Sequence, residues 1–385
     1  MPIRSIAALL TLSAILPGRV AAKPVAAPGQ LERFPGTVIA YSAAETGKYI
    51  GSPSIAALPN GNYVASHDLF GPASGEETAG ITRVYGSSDR GASWRLRSEI
   101  QGQFWSNLFV HRRELYIMGP TRQVGAVVIR RSKDGGSTWS IPESADTGIL
   151  AGDMKYHTAP VPIVTHRGRL WRSMEVAIGP RPDWASLVLS APVDADLLRA
   201  SNWTMSNALQ NKNYGNAALA WIEGNVVVTP AKKLINILRL NGIDGEKAAV
   251  VEISSDGRTV SWNPPGAVID FVGGGTKFTI RYDPKTRRYW SLVNRQKNPD
   301  TYRNVVVLTS TADLRHWKIE SMVFNQIDRA DRAFQYIDWL FESDDIIAVS
   351  RTAWDGAHRP HDANYLTFHR IRNFRTRTLQ DPPLH

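Results

Sequence analysis

The side chains that could carry out chemistry include nine histidines but no cysteine. Without cysteine, the chain has no thiolate nucleophile, no disulfide and no cysteine-based zinc site. The histidines show no His-Glu-x-x-His pattern, and His358 and His361 lie in a polar loop without an obvious third ligand. We therefore expect no zinc and no required cofactor, while a structural calcium ion, which needs only oxygen ligands, stays open.

Hydrolysis of a glycosidic bond usually requires two opposed carboxylates. Glu175 and Glu223 lie in suggestive places, but the sequence does not single out a clean pair. A sialidase would instead need three arginines that bind a carboxylate, with a tyrosine and a glutamate as the nucleophile pair. A glycoside hydrolase, either sialidase-like or an α-L-rhamnosidase, is therefore one alternative for this chain, and a non-catalytic carbohydrate-binding protein is another.

Two segments repeat the pattern Ser-x-Asp-x-Gly-x-Ser/Thr-Trp, at Ser87–Trp94 and Ser132–Trp139. Weaker copies end at Trp203, Trp262 and Trp317, so the tryptophans recur at intervals of roughly 45 to 64 residues. In each copy the aspartate can accept hydrogen bonds from the backbone of a tight turn, and glycine allows a positive φ. The tryptophan fills the hydrophobic gap beside the hairpin. These repeats are Asp-box hairpins.

Short β-branched and aromatic runs surround the repeats, for example at Gly125–Ile129 and Val305–Leu308. Short strands that recur about every 50 residues are typical of a β-propeller, whose four-stranded blades close on themselves. We therefore predict an all-β fold in which residues 31–375 form one β-propeller of about seven four-stranded blades, or six or five if the loops are long. An Asp box lies on a blade's outer hairpin, so it locates the fold and not the site.

Further stretches between the repeats are not required by matching blades alone. They are Ser52–Ile55, Ser66–Pro72, Phe104–Phe109, Trp221–Asn225, Lys277–Asp283, Phe334–Trp339 and His361–Tyr365. In these stretches, the sequence resembles the seven-bladed polysaccharide lyases that act at L-rhamnose-α-1,4-D-glucuronate linkages, and more distantly the ulvan lyases. The likeness extends over most of the chain.

The resemblance implies β-elimination, in which a base removes the proton at C5 of a uronate and the bond between C4 and oxygen breaks. The catalytic tyrosine and arginine of this family, sixteen positions apart, correspond to Tyr156 and Arg172, with His67 upstream. Arg172 would neutralise the carboxylate, because a guanidinium stays charged and can form two bonds with it. Tyr156 would protonate the leaving oxygen, and either Tyr156 or His67 would remove the proton.

The resemblance also suggests residues that would bind the substrate. Tyr214 corresponds to a further active-site tyrosine of some members, and Trp105, Arg239 and Lys277 would stack on or pair with the sugar chain. One position departs from the family pattern. Several members carry a second histidine about twenty residues after the first, where this chain has Ser87 of the first Asp box.

The amino terminus indicates export from the cytoplasm. Arg4 precedes an apolar run from Ile6 to Leu16, and the small residues Val20-Ala21-Ala22 follow. This pattern predicts a signal peptide over residues 1–22 and a secreted or periplasmic protein. The apolar run is shorter than the ~20 residues that span a bilayer, so we expect no membrane span.

The formal net charge of +10 favours an acidic partner. The basic residues are scattered and form no nucleic-acid-binding motif, so we do not expect a nucleic acid. We expect a monomer whose substrate is an acidic polysaccharide or oligosaccharide that contains a uronate.

Overall fold

The computed structural model describes residues 34–179, 183–210, 220–241, 246–263, 266–295 and 303–384. Their secondary structure consists of β-strands and loops, with 3-10 helices of three residues each, which confirms the predicted all-β class. Residues 1–22, predicted as a signal peptide, lie outside the described residues. No helix within the described part of the chain is long and apolar enough to cross a membrane.

The strands are short and follow one another closely along the chain. The first ten are β1 (Thr37–Tyr41), β2 (Tyr49–Ile50), β3 (Ser54–Ala57), β4 (Tyr63–Phe70), β5 (Ile81–Ser87), β6 (Arg95–Gln101), β7 (Asn107–His111), β8 (Glu114–Pro120), β9 (Gly125–Ser132) and β10 (Ile149–His157). The next ten are β11 (Val164–His166), β12 (Arg169–Ile178), β13 (Asp183–Pro192), β14 (Thr204–Met205), β15 (Leu209–Gln210), β16 (Ala220–Val228), β17 (Leu234–Asn241), β18 (Lys247–Ile253), β19 (Val260–Ser261) and β20 (Val268–Asp270). The last are β21 (Ile280–Asp283), β22 (Arg288–Asn294), β23 (Val305–Thr311), β24 (Lys318–Asn325), β25 (Ala333–Glu342), β26 (Asp345–Ala353) and β27 (Tyr365–Ile371). The 3-10 helices are Ala44–Thr46, Ala200–Asn202 and Phe374–Thr376.

Antiparallel pairing groups the described strands into six blades. Blade 1 contains β2 to β6, blade 2 contains β7 to β9, and blade 3 contains β11 to β15. Blade 4 contains β16 to β20, blade 5 contains β21 to β24, and blade 6 contains β25 to β27 with β1 at its outer edge. Strand β10 pairs with β9 at Ile149 and with β12 at Tyr156, so it joins blades 2 and 3 into one nine-stranded sheet.

The two ends of the described chain close the ring. Strand β1 pairs with β27, with Thr37 opposite Phe368, and β3 of blade 1 contacts both β25 of blade 6 and β7 of blade 2. The propeller is therefore confirmed, but seven blades are not, because the described strands form six. The repeat is longer than about 50 residues where connections such as the one between Pro192 and Thr204 separate the strands of a blade.

The two strong Asp boxes lie where the sequence pattern predicts, directly after β5 and β9. In the first, Asp89 Oδ1 accepts a hydrogen bond from the backbone N–H of Ser93 at 2.9 Å. In the second, Asp134 Oδ1 accepts one from the N–H of Thr138, also at 2.9 Å. Both boxes stabilise outer hairpins of their blades, and neither includes a residue of an inner strand.

Hydrophobic side chains between adjacent blades form the core. At the closure of the ring, Ile55 and Ala65 of blade 1 share one buried cluster with Ile347 and Val349 of blade 6. Complete burial of an isoleucine or valine side chain contributes about 1.5–3 kcal/mol to stability. This packing fixes the innermost strands β3, β7, β11, β16, β21 and β25 around the axis.

Candidate functional site

The inner strands are irregular near the ends at which they begin. Bulges shift the register of β16 against β17 and of β25 against β26. Glu223 and Tyr336 lie in these bulges with φ values of 57° and 53°, and Trp105, just before β7, has a φ of 43°. A left-handed backbone costs about 1–2 kcal/mol for residues other than glycine, and bulges of this kind redirect side chains.

These irregular segments surround a cavity of about 860 Å³, which we call the site cavity. Its volume lies within the range of about 300–1,000 Å³ that is typical of small-molecule sites. Blades 1, 2, 3, 4 and 6 contribute to its wall. The lining residues that could bind a ligand or exchange a proton with it include Glu76, Trp105, His157, Glu223, Arg239, Tyr336, Arg351 and His361.

A tyrosine and a carboxylate share one arginine in this cavity. Arg239 Nη1 donates to Glu223 Oε2 at 2.9 Å and to the phenol oxygen of Tyr336 at 3.5 Å. The Nε of Arg239 donates to the carbonyl of Gly275 at 2.8 Å, which fixes the plane of the guanidinium. Arg239 and Glu223 are both buried. The phenol of Tyr336 and the carboxylate of Glu223 are therefore held together by a fixed cation.

Two further arginines surround the ring of Tyr336. The guanidinium carbon of Arg351 lies 5.1 Å from the ring centroid, and that of Arg303 lies 5.6 Å from it. Arg351 donates through Nε and Nη2 to the carbonyl of His361. Burial lowers the pKa of Arg351 to about 10, so it remains charged at neutral pH. The environment of Tyr336 is strongly cationic and suits a ligand with a carboxylate.

Two carboxyl groups of the site cavity have pKa values shifted in opposite directions. Burial raises the pKa of Glu76, whose Oε2 accepts the N–H of Gly71 at 3.1 Å. Burial alone would also raise the pKa of Glu223, but the charge and hydrogen bond of Arg239 lower it below its ordinary value. Such a divergence is typical of an acid and a base with separate roles. Glu76 retains its proton to a higher pH, while Glu223 is ionised.

A histidine on the blade 3 side of the cavity is oriented by a buried carboxylate. His157 Nδ1 lies 3.4 Å from Glu175 Oε2, and the imidazole packs against Trp184 with ring centroids 4.7 Å apart. Glu175 is completely buried, and its other oxygen accepts the N–H of Gly224 at 3.2 Å. A carboxylate at Nδ1 leaves Nε2 of His157 as the nitrogen that can exchange a proton with a ligand.

The rim near blade 6 carries a compact charged cluster. Asp362 accepts hydrogen bonds from His358, Arg359 and His361, each at 2.7 Å. Burial alone would raise the pKa of Asp362, but these bonds lower it to about 2. Burial, and then the charge of Arg351, lower the pKa of His361 to about 4, so this imidazole is neutral at neutral pH.

The structure does not bring the three predicted catalytic residues into the site cavity. His67 is buried, with Nδ1 2.9 Å from the carbonyl of Asp68. Tyr156 belongs to the hydrophobic core of blade 3, and its hydroxyl donates to Asp153 at 2.8 Å. Arg172 is completely buried and donates to backbone carbonyls. The three side chains do not line the site cavity, and their catalytic roles stay predictions.

The predicted substrate-binding residues are divided. Trp105 and Arg239 line the site cavity. Lys277 is buried, and its Nζ donates to the backbone carbonyl of Ile337 at 2.9 Å, so it braces the bulge that carries Tyr336. Tyr214 lies outside the described residues.

Tyr336, Arg351 and Glu76 of the cavity wall are not among the site residues predicted from the sequence. A signal was present, because the stretches Trp221–Asn225 and Phe334–Trp339 had been singled out as additional to the blade pattern. Both stretches contain an inner-strand bulge. The residues at the bulges, and not those at the family's spacing, point into the cavity.

No group of three or more histidine, aspartate or glutamate side chains within the described ranges is arranged to hold a metal ion. The calcium ion considered from the sequence stays a prediction without support from the side chains.

Comparisons with known proteins support the fold. No family model matches the sequence. No curated protein matches it either. Among solved structures, an α-L-arabinanase of Penicillium chrysogenum complexed with arabinobiose superposes with a TM-score of 0.55 at 14% identity, over 89% of this chain and 98% of that one. A Hadza microbial sialidase gives a TM-score of 0.60 at 14% identity, over 86% and 67% of the chains.

A Trypanosoma rangeli sialidase in complex with sialic acid is similar as well, with a TM-score of 0.52 at 16% identity, over 90% of this chain and 59% of that chain. At identities this low, the likeness shows a shared propeller fold and leaves the reaction to be argued from the site.

Proposed function

We propose that this protein is a carbohydrate-active enzyme that hydrolyses the glycosidic bond of an acidic sugar in the site cavity. The observation that carries the proposal is the position of Tyr336. Its phenol is held by Arg239 beside the carboxylate of Glu223, and Arg303 and Arg351 flank its ring. A tyrosine nucleophile is the known exception to the two-carboxylate pattern of glycosidases, and it occurs in sialidases. The similar sialidase structures agree with this assignment.

The cations decide the substrate class. The similar arabinanase is complexed with arabinobiose, a neutral sugar. A neutral ligand would gain little from a cluster of buried guanidinium groups, whose desolvation costs several kcal/mol each unless a negative charge compensates it. The carboxylate of Glu223 compensates Arg239, while the hydrogen bonds of Arg351 to the described residues reach only a carbonyl. A carboxylate on the sugar would complete the pairing of Arg351.

The side chains can be assigned to the steps of a two-stage hydrolysis. Tyr336 attacks the anomeric carbon while its phenol proton passes to the ionised Glu223. Glu76, whose pKa is raised by burial, donates its proton to the leaving oxygen as the bond to the aglycone breaks. In the second stage Glu76 removes a proton from water, whose oxygen attacks the anomeric carbon. The bond between the sugar and Tyr336 breaks, and Glu223 returns its proton to the departing phenolate oxygen. Trp105 offers an aromatic face for the sugar ring.

A second candidate is the β-elimination at a rhamnose–glucuronate linkage implied by the sequence resemblance. One observation favours it, namely the imidazole of His157, which Glu175 orients within the same cavity. In that reaction His157 would take the proton at C5, Arg351 would neutralise the uronate carboxylate, and Tyr336 would protonate the leaving oxygen. The lyase thus needs His157, and the hydrolase needs Glu76.

The experiment that separates the two reactions uses the purified protein with two kinds of substrate. Methylumbelliferyl glycosides of sialic acid, glucuronic acid and arabinose report hydrolysis by fluorescence. Gum arabic and ulvan report elimination by the ultraviolet absorbance of an unsaturated uronate. We expect fluorescence from an acidic glycoside and no absorbance change. An increase in absorbance without fluorescence would refute hydrolysis and support β-elimination. Release from the arabinoside alone would refute the acidic substrate.

Export, the single domain and the monomeric state belong to the same proposal. An enzyme that degrades an extracellular polymer needs a route out of the cytoplasm, which residues 1–22 would provide. Amino-terminal sequencing of the protein recovered outside the cytoplasm should begin at Lys23, and a chain that retains Met1 would contradict processing at this site.

A further inference from the structure

A second cavity of about 900 Å³ lies at the opposite end of the propeller axis. We call it the opposite cavity. Its wall contains β11, Ile280–Tyr282 of β21 and the final residues of β16 and β25, whereas the first residues of β16 and β25 line the site cavity. The two cavities are therefore separated by the length of the strands around the axis and do not share lining residues.

The lining of the opposite cavity is cationic and aromatic. Arg281, Arg287 and Lys232 contribute positive charge, and Tyr282 and Phe341 contribute rings. No aspartate or glutamate of the described residues lines it. This composition differs from that of the site cavity, where carboxylates accompany the arginines.

Several of these cationic groups have donors without a hydrogen-bond partner among the described residues. The Nε of Arg281 is buried and has no hydrogen-bond partner in the described part of the chain, while its Nη2 pairs with Asp338 at 3.2 Å. The side chains of Arg287 and Lys232 make no hydrogen bond or ion pair with any residue that the structure describes. A buried donor without an acceptor costs about 1–3 kcal/mol, which a ligand oxygen would recover.

Tyr282 supplies an exposed ring beside these cations. It is 47% exposed, and it rests against Tyr289 with ring centroids 4.9 Å apart. A supported tyrosine of this kind presents a flat face without a large loss of side-chain entropy on binding. A ring next to guanidinium groups suits a sugar that carries a carboxylate, because one group stacks on the ring and the other pairs with the charge.

We propose that the opposite cavity is a second, non-catalytic binding site for an acidic saccharide chain. Its described lining contains no aspartate or glutamate, the residues that serve as acid and base in most glycosidases, so the role that we assign to it is binding. Its role is to hold one part of an acidic polymer while another part reaches the site cavity of the same or a neighbouring molecule. Two weak sites on one polymer raise the effective affinity without any new contact. This binding is independent of the reaction proposed for the site cavity.

The test is affinity electrophoresis through gels that contain gum arabic or its carboxyl-reduced form. All proteins carry Tyr336→Phe to keep the polymer intact. In this background, Tyr282→Ala and Arg287→Gln are compared with Tyr41→Ala as a matched control. Tyr41 is 55% exposed and packs against Tyr365 with ring centroids 4.8 Å apart, on the outer strand of blade 6. Both tested side chains are exposed, so we expect all variants to fold.

We expect Tyr282→Ala and Arg287→Gln each to weaken retardation by about fivefold or more, as loss of a ring or a charge contact predicts. Tyr41→Ala should migrate like its parent, and carboxyl reduction should abolish the difference between variants. Equal migration of Tyr282→Ala and Tyr41→Ala would overturn the proposal, as would equal binding of both polymers.

A further measurement separates this proposal from the proposed function. With Tyr336 intact, Tyr282→Ala should hydrolyse a small methylumbelliferyl glycoside at the parent rate and lose activity only on the polymer. If the parent has no activity on any substrate, the electrophoresis still decides whether the opposite cavity binds. A loss of activity on the small glycoside would place Tyr282 in the reaction and contradict a separate binding site.

Discussion

Two pairs of tyrosine and arginine lie in the inner part of this propeller, and their surroundings are different. In blade 3, Tyr156 is enclosed by apolar side chains and Arg172 bonds to backbone carbonyls. Tyr336 and Arg239 line the site cavity, and Arg239 also donates a hydrogen bond to Glu223. The chemical groups are the same, but of the two pairs only the second lines the site cavity.

This difference indicates that the backbone conformation, more than the residue type, determines which side chains line the cavity. Tyr156 lies in a stretch of β10 paired in register with β12, so its side chain follows the alternation of the sheet into the core. Tyr336 lies in a bulge with left-handed φ, which takes its side chain out of that alternation. The bulge is the feature that converts a blade residue into a candidate nucleophile.

The largest expected effect is on catalysis by the two tyrosines. Tyr336→Phe should lower kcat by about a thousandfold or more, because it removes the nucleophile while leaving the ring in place. Tyr156→Phe should leave kcat unchanged and cost about 1 kcal/mol of stability, through loss of its bond to Asp153. Rates on the best acidic glycoside and thermal unfolding check both variants. A dead Tyr156→Phe enzyme with an active Tyr336→Phe enzyme would reverse the comparison.

The next effect concerns the arginines. Arg351→Lys should raise KM for an acidic substrate by about tenfold or more, since hydrogen bonds to charged groups contribute about 1.5–3 kcal/mol. Arg172→Lys should instead lower the melting temperature with little change in KM, because Arg172 has only internal partners. Steady-state kinetics on an acidic and a neutral glycoside measure the contrast. An equal change of KM for both glycosides in Arg351→Lys would show that Arg351 does not bind the carboxylate of the substrate.

The third effect is on the pH profile. Activity of the parent should fall as pH rises through the raised pKa of Glu76, and fall as pH drops through the lowered pKa of Glu223. Glu76→Gln should remove the alkaline fall and reduce kcat/KM mainly for substrates with poor leaving groups, since a good leaving group needs no acid in the first stage. The loss of the base for water should lower kcat for all substrates. Glu77→Gln removes a neighbouring charge that raises the pKa of Glu76, so it should shift the alkaline limb to lower pH without removing it. A pH profile of Glu76→Gln that keeps its alkaline limb would exclude Glu76 as the acid.

The smallest effect belongs to the outer hairpins. Burial alone would raise the pKa of Asp134, but bonds from Thr138 and Ser132 lower it to about 2. Its stabilising effect is therefore present at neutral pH and is lost as pH falls from about 4 towards that value. Asp134→Ala should cost about 1 kcal/mol at neutral pH and clearly less as the pH falls through 2, with unchanged kcat. Chemical denaturation at the two pH values tests this, and a change in kcat would contradict a purely structural Asp box.

The sequence predicts the fold and two residues of the cavity wall, Trp105 and Arg239. An Asp box is a local pattern, so Ser87–Trp94 and Ser132–Trp139 revealed the hairpins directly. The number of blades was less accessible because it depends on loop lengths. The pairing of Glu223 with Arg239 and Tyr336 joins blade 4 to blade 6 and exists only once the ring has closed. The spacing of residues along the chain does not indicate which side chains meet when the ring closes.

The bulges were visible only in part. The stretches that contain Glu223 and Tyr336 were recognised as exceptional, yet the direction of a side chain at a bulge depends on φ, which the residue types did not reveal. The family spacing led instead to Tyr156 and Arg172, whose burial comes from the packing of blade 3.

The most direct test of the account is a crystal structure of the protein soaked with sialic acid and, separately, with glucuronic acid. We predict a sugar ring in the site cavity, with its carboxylate within hydrogen-bond distance of Arg351 and its anomeric carbon facing the phenol oxygen of Tyr336. A sugar bound beside Tyr156 and Arg172, with the site cavity empty, would contradict the account.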